Sequence, residues 1–468
     1  MSELRPDEGR DAEVEAPDTE AEYGVTPEVV RTARDALLAK QNHVVRELVE
    51  GLHAADVADL LEQLTTEERE QFIQITREEI EAETLTHLDE DVREDVIEMM
   101  EPRDIAAAVS ELDIDDAVDL LEDLDEDAKQ RILASMPAEA RGFLEEGLTY
   151  PEDSAGRLMQ RKLVAVPDYW TVGETIDFLR ASDQLPDDFY DLFIVDPAHR
   201  PIGSVPLSRA MRAKRPVKLT EIMETDLHTV ETDMDQEAIA YMFRQYALVS
   251  APVVNKDGRL VGVITVDDVV HVIEEETEED LLGLRGVGEG DFHAPPLETA
   301  WRRLRWLIVT LINTIIAASV ISRFDTTIEQ LVALAILMPI VAAMGGNAGM
   351  QVVTVTVRAL ATRDLTPGSN IARTIGKELL VAAMNAGIFA LIMGGIAAAW
   401  FHSPALGVVL GAAMIFNMMW AGLAGTIIPL TLHRLGLDPA VSAGPFLTTT
   451  TDVLGFFSFL GLATLFLV

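Results

Sequence analysis

The sequence predicts a multidomain protein. Its parts are an all-α superhelical N-terminal domain, an α/β tandem repeat pair, an acidic connecting helix and a five-span α-helical membrane domain. Three observations carry this. Charge is split along the chain: of 468 residues with a net charge of −43, residues 301–468 hold 6 acidic and 9 basic ones, leaving 73 acidic and 27 basic before them. A β-α-β-β-α order occurs twice between residues 153 and 265. Five apolar runs after Leu304 are each long enough for a bilayer, which takes roughly 20 residues.

Residues 1–25 are rich in Glu, Asp, Pro and Ala, have little to bury and read as a disordered acidic tail. Residues 26–152 turn helical. Asp56–Leu64, Asp104–Leu112 and Asp116–Leu124 repeat one unit, in which an acid expected at the N-cap precedes apolar residues at helical spacing. Pro102 and Pro137 fall where helices start or break. Short helices joined by tight acidic turns indicate a stacked superhelix, each unit burying its stripe on its neighbours. Most of its acids read as a solvated face; Asp113, Asp115, Asp116 and Asp119 are dense enough to be a candidate divalent-cation cluster.

The α/β pair follows, with one unit at 153–219 and another at 220–265. In the first, Leu163–Pro167 and Asp191–Asp196 read as strands around the helix Thr171–Arg180, with Pro201–Val205 as a third strand. In the second, Leu227–Val230, a helix from Asp235 to Tyr246, Ala251–Asn255 and Leu260–Ile264 repeat the order. Residues 266–300 form the connecting helix and a flexible linker from Gly283 to Pro296. Asp267, His271, Glu274 and Glu278 stack at helical spacing, and like charges so placed destabilise an isolated helix. A shared divalent cation would compensate, because hard cations prefer oxygen ligands. A solvated acidic helix is the plainer alternative.

Residues 301–468 are the membrane domain, with spans at about 304–322, 328–357, 374–401, 404–432 and 442–467. Arg302, Arg303 and Arg305 precede the first span, Arg358, Arg363, Arg373 and Lys377 lie between the second and third, and Arg434 follows the fourth. The positive-inside rule then places the N-terminus in the cytoplasm and the C-terminus outside the cell membrane. The spans are rich in Gly, Ala, Asn and Thr, and small residues let helices approach closely. Packing accounts for most of the glycines but not for Asp452, an intramembrane carboxylate with no basic residue in the spans to neutralise it. Such a residue marks an ion pathway, and a cation is its natural partner.

Composition excludes several classes. There is no cysteine, hence no disulfide framework or thiolate metal site. The start lacks the pattern of a cleaved signal peptide. The acidic front repels nucleic acid. No phosphate-cradling glycine loop or His-Glu-x-x-His pattern points to an enzyme.

The repeat pair resembles a tandem CBS (cystathionine-β-synthase-type) pair. Gly262–Asp268 is similar to that family's ribose- and phosphate-contacting segment, which makes Thr265 and Asp268 candidate nucleotide residues and ATP a candidate ligand at one site; Gly203 to Ser208 in the first unit has no matching Asp. The whole order resembles the MgtE family of bacterial magnesium channels. The motifs that carry it are Met344-Gly-Gly-Asn347-Ala-Gly-Met-Gln351, Pro445 to Asp452, Tyr150 to Met159 and Gly262 to Asp268.

The resemblance implies a homodimer in the lipid bilayer that imports Mg²⁺ and is gated by Mg²⁺ on its cytosolic face. It implies Asp452 as the selectivity residue, Asn347 and Gln351 in the second-span motif, and Asp438 near the cytoplasmic mouth. The implied sensor ligands are Asp268, Glu276, Glu279 and Asp280 on the connecting helix, Glu237 in the second CBS unit, and superhelix acids including Asp115, Asp116 and Asp119. His271 and Ala247 stand where relatives carry carboxylates. The alternatives are a transporter of Mn²⁺, Co²⁺ or Ni²⁺, proton-coupled transport through Asp452, and a membrane-anchored nucleotide or metal sensor.

Overall fold

The computed structural model describes residues 24–468 except 78, 123, 125, 183, 184, 187, 284–286, 288–295, 364 and 366–370, and it leaves undescribed the side chains of Glu90, Pro102, Asp127, Ser135, Ala138, Glu139, Ala140, Asp280 and Glu298. The acidic tail expected at 1–25 and the linker expected between Gly283 and Pro296 fall largely outside the described residues. The chain forms two compact units. One runs to Gln236 and includes Val249–Thr265; the other holds Glu237–Leu248 and Val266–Val468.

The first unit begins with short helices from Pro27–Leu38 to Ala138–Gly147. Their apolar stripes meet in one core that includes Leu60, Leu61, Phe72, Leu120 and Leu121. The repeated acids sit differently from the expectation. Helix Ala54–Gln63 begins after His53, whose side chain caps it, and helix Pro102–Glu111 begins after Glu101, whose side chain makes no capping bond, so Asp56 and Asp104 lie in the first turn; Asp116 likewise lies in the first turn of Ile114–Glu122. The partial positive charge at a helix start favours an acid anywhere in that turn. Pro102 opens its helix as the spacing predicts. Buried arginines stitch successive repeats. Arg69 Nη1 meets Asp95 at 2.9 Å while its Nε donates to the Leu61 carbonyl, and one repeat later Arg93 meets Asp119 at 2.7 Å.

Two three-stranded sheets complete this unit. The first comprises β1 (Ala165–Pro167), β2 (Asp191–Val195) and β3 (Pro201–Pro206); the second comprises β4 (Val230–Glu231), β5 (Ser250–Val254) and β6 (Leu260–Thr265). In each, the first pair is parallel and the second antiparallel, with a register shift near the end of the middle strand. This identity of pattern is the tandem duplication read from the sequence. Strand β4 is only Val230–Glu231; the expected strand over Leu227–Val230 is irregular up to its last residue.

In the second unit the connecting helix runs Val266–Gly283, and among the described residues five helices are long and apolar enough to cross a membrane. The first span is Pro296–Ile321, followed by a tight turn and the short helix Asp325–Gln330, which takes up the start of the expected second span. The others are Ala333–Ala361, Ile371–Trp400, Pro404–Arg434 and Pro439–Phe466. The fourth span is the most enclosed and packs against the second, third and fifth. Its glycines explain how. A Cβ on Gly425 would stand 2.8 Å from the Gly349 carbonyl, and one on Gly422 would stand 2.6 Å from Ala382 Cβ. Gly394 and Gly407 face each other across the third and fourth spans just as closely. The first span leans mainly on the fifth and leaves Leu307, Leu311 and Ile315 exposed, a lipid-facing pattern.

Candidate functional site

The fifth span is built to carry polar groups through an apolar region. Asp438 is its N-cap: its carboxylate accepts from the backbone N–H groups of Ala440 at 2.7 Å and Val441 at 3.3 Å. Such a cap stabilises a helix by about 1 kcal/mol. Pro445 lies buried inside the helix, and its carbonyl accepts from Thr449 Oγ1 at 2.6 Å and from Asn313 Nδ2 of the first span at 3.3 Å. Thr448 donates to the Gly444 carbonyl, and Thr450 and Thr451 donate to the Leu447 carbonyl. All four hydroxyl hydrogens are thus turned inward onto the helix. Thr451 is fully buried; what remains on the half-buried oxygens of Thr448, Thr449 and Thr450 is acceptor capacity, the complement of a cation whose bound waters point their hydrogens outward.

Asp452 follows this run. It is half-buried, and no hydrogen bond or ion pair reaches its carboxylate among the described residues. The second span presents a matching face. Asn347, Gln351 and Thr354 are exposed at helical spacing, while Gly345, Gly349, Val352 and Val353 on the other side are buried. A stripe of amides and a hydroxyl on a membrane helix is costly against lipid, so it faces protein or water.

Among the described residues no group of three His, Asp or Glu side chains stands close enough to hold a metal ion. Asp268, Glu276 and Glu279 lie on the connecting helix, with Asp268 and Glu276 half-buried and Glu279 exposed; Glu237 is exposed on the helix Gln236–Tyr246. The Asp280 side chain lies outside the described residues. Asp115 is buried, Asp116 is half-buried and Asp119 is bound to Arg93; Asp113 lies 3.3 Å from Lys162 Nζ.

Within the first unit the two sheets share a small cleft lined by Gln160, Lys162, Tyr190, Asp191, Ser250 and Thr265. Gln160 Nε2 reaches Thr265 Oγ1 at 3.5 Å, and Ser250 Oγ donates to Asp191 at 2.7 Å. Burial pushes the Asp191 carboxyl above its ordinary range, and the Ser250 bond opposes that shift. The cleft sets Lys162 and the Tyr190 ring beside two carboxylates, Asp188 and Asp191.

Comparison with known proteins agrees with this architecture. A family profile described as divalent cation transporter matches residues 338–462, one for the MgtE intracellular N domain matches 52–153, and one for the CBS domain matches 219–275. The magnesium transporter MgtE of Bacillus subtilis is 28% identical over 90% of this chain and 94% of its own length. That of Thermus thermophilus is 32% identical over 93% of this chain and 97% of its own. The chain belongs to the MgtE family. A crystal structure of the cytosolic domain of the Mg²⁺ channel MgtE in complex with ATP is 31% identical, covers 52% of this chain and superposes with a TM-score of 0.48.

Two membrane residues of this MgtE family member escaped the sequence reading. Glu378, near the start of the third span, is a second buried carboxylate, and it lies 3.6 Å from Nζ of the adjacent Lys377. The other is Asn417 in the middle of the fourth span, fully buried, with Nδ2 donating to the Val341 carbonyl at 2.9 Å and Oδ1 making no hydrogen bond. A buried amide oxygen left unpaired costs about 1–3 kcal/mol. One signal was available for each: an ionisable residue inside a 30-residue apolar helix, and an amide between Gly411 and Gly422 in an otherwise apolar run.

Proposed function

We propose that this protein is a Mg²⁺-selective channel that imports magnesium across the cytoplasmic membrane and is closed by Mg²⁺ on its cytosolic side. The observation that carries the reading is Asp452: an intramembrane carboxylate without a protein cation, preceded by four threonines whose hydroxyl hydrogens are all committed to their own helix. Mg²⁺ sheds water reluctantly and is held through few direct carboxylate bonds. A single carboxylate beside acceptor oxygens therefore suits the hydrated ion, and the absence of His and Cys from these segments disfavours softer metals.

The remaining parts follow from this reading. A second copy of the chain covers the polar stripe of Asn347, Gln351 and Thr354, and the route runs beside it. The arginines before the first span and after the second and fourth set the N-terminus in the cytoplasm. Asp268, Glu276, Glu279, Asp280, Glu237 and the acids Asp115 and Asp116 supply the sensor, while Asp119 is already held by Arg93; Mg²⁺ draws the sensor acids together because it binds the compact, closed state better than the open one. ATP is the ligand we assign to the second CBS unit, at Thr265 and Asp268.

The test is Mg²⁺ uptake into proteoliposomes by the wild type, Asp452→Asn and Asp452→Ala, with Mg²⁺ varied on the side bearing the soluble domains. Uptake that needs Asp452 and stops when that side is loaded with Mg²⁺ supports the channel. Equal uptake by all three proteins would remove Asp452 from the pathway.

A further inference from the structure

The fourth span contributes no residue to the expected pathway, yet its central side chain touches both helices that do. Asn417 is fully buried, and its Nδ2 donates to the Val341 carbonyl one turn before Gly345. Its amide fills the space that a Cβ would take on two glycines. A Cβ on Gly345 would overlap Nδ2 and lie 3.2 Å from Oδ1; one on Gly455 would lie 2.7 Å from Nδ2 and 3.3 Å from Oδ1. The amide is therefore wedged between the second and fifth spans, with a Cα hydrogen of each glycine directed at it.

The positions of the two glycines give the wedge its consequence. Gly455 lies three residues after Asp452, about 4.5 Å along the axis. Gly345 lies two residues before Asn347, which is turned by about 200° around the helix and is exposed. Asn417 thus presses on the second span from behind the polar stripe and on the fifth span one turn from the carboxylate. We propose that Asn417 is a positioning residue of the permeation path, which fixes where Asp452 stands relative to the second span. This rests on the transport reading above. Asn417 does not touch the ion; it acts through the two helices.

The experiment uses the full-length protein in proteoliposomes, with Mg²⁺ and Mn²⁺ uptake measured across a concentration series. The variants are Asn417→Ala, Gly345→Ala, the double variant Gly345→Ala/Asn417→Ala, and Asn417→Ser, which keeps a small polar group should the alanine fail to fold. A misplacement of about 1 Å at a reacting centre costs on the order of 100-fold. An ion held through water tolerates more, so the expected change in half-saturating Mg²⁺, and in the Mg²⁺ to Mn²⁺ uptake ratio, is about tenfold for Asn417→Ala or Asn417→Ser. Gly345→Ala alone shifts both quantities, and the double variant moves back toward wild type because the new methyl fills the vacated space.

Folded Asn417 variants with wild-type half-saturation and ion ratio would overturn the proposal. A lower maximal rate alone would overturn it too, because that is the mark of a merely structural role. Failure of the transport reading is visible separately, as wild-type protein that carries no Mg²⁺ or is indifferent to Asp452→Asn.

Discussion

The guanidinium of Arg363 lies over the Tyr241 ring, 4.8 Å from its centroid. Arg363 closes the second span with a left-handed backbone, and Tyr241 lies on the helix Gln236–Tyr246, so the helix carrying Glu237 is tied to the span carrying Asn347 and Gln351. A cation–π contact of this kind contributes about 0.5–1 kcal/mol at an exposed site. If it belongs to one gating state only, its loss moves the equilibrium by that amount. Tyr241→Leu is expected to shift the cytosolic-side Mg²⁺ concentration that halves uptake by about two- to fivefold, with uptake in the absence of inhibition unchanged. A titration of uptake against Mg²⁺ on that side checks it; an unmoved curve would free this contact of any part in gating.

Glycines in the spans divide into those that touch a neighbour and those that do not. Gly425 faces the Gly349 carbonyl, which belongs to a helix backbone and does not yield, whereas Gly346 and Gly387 have nothing within 4 Å of a Cβ. Gly425→Ala is expected to lower the thermal stability of the detergent-solubilised protein by the equivalent of about 1–3 kcal/mol. Gly346→Ala and Gly387→Ala should be neutral or slightly stabilising, since alanine is the better helix former. A melting series on the three proteins separates packing from composition: equal losses would mean that the close approach of the second and fourth spans does not limit stability.

That division was only half legible in the sequence. Small residues in apolar runs announce close helix packing, but which face each glycine serves depends on neighbours far along the chain, as Gly345, Asn417 and Gly455 illustrate. The spans themselves were readable because a run of apolar residues long enough to cross a bilayer has few alternatives. The duplicated sheets were readable from strand order, though β4 shrank to Val230–Glu231 because a two-residue parallel pairing leaves almost no periodicity to detect. The first-turn acids were misjudged by a few residues because cap and first turn both favour them. Asp452 was conspicuous as a charge out of place. Asn417 was not, being uncharged and surrounded by residues that conceal its two glycine contacts.

The sensor assignment makes a separable prediction. Asp268, Glu276 and Glu279 belong to one helix, and neutralising them together (Asp268→Asn, Glu276→Gln, Glu279→Gln) removes negative charge without touching the spans. Uptake by the triple variant is expected to persist at cytosolic-side Mg²⁺ that silences the wild type, while the dependence on Asp452 stays. Asp119 differs from these acids, because Arg93 already neutralises it at 2.7 Å. Asp119→Asn should therefore leave Mg²⁺ inhibition nearly unchanged and instead destabilise the helical domain, since it removes a carboxylate from beside an arginine whose side chain is only 9% exposed. Inhibition lost in Asp119→Asn would mean that the ion displaces Arg93.

Asp191 gives the soluble region a pH dependence with a definite sign. Burial raises its folded-state carboxyl above the unfolded value, partly offset by the Ser250 hydroxyl. Between those two values the folded state binds more protons than the unfolded one. Stability from this group is therefore fully present below the unfolded carboxylate range and is lost as pH rises through the raised folded value. Asp191→Asn keeps the shape, accepts from the same hydroxyl and does not ionise. The variant is expected to be more stable than wild type at neutral pH and to match it in acid, with the difference developing across the raised carboxylate range. Thermal melts of the two full-length proteins between acid and neutral pH test this. A constant offset at every pH would assign the effect to packing, and a variant less stable at neutral pH would mean that the ionised carboxylate has a cationic partner in solution.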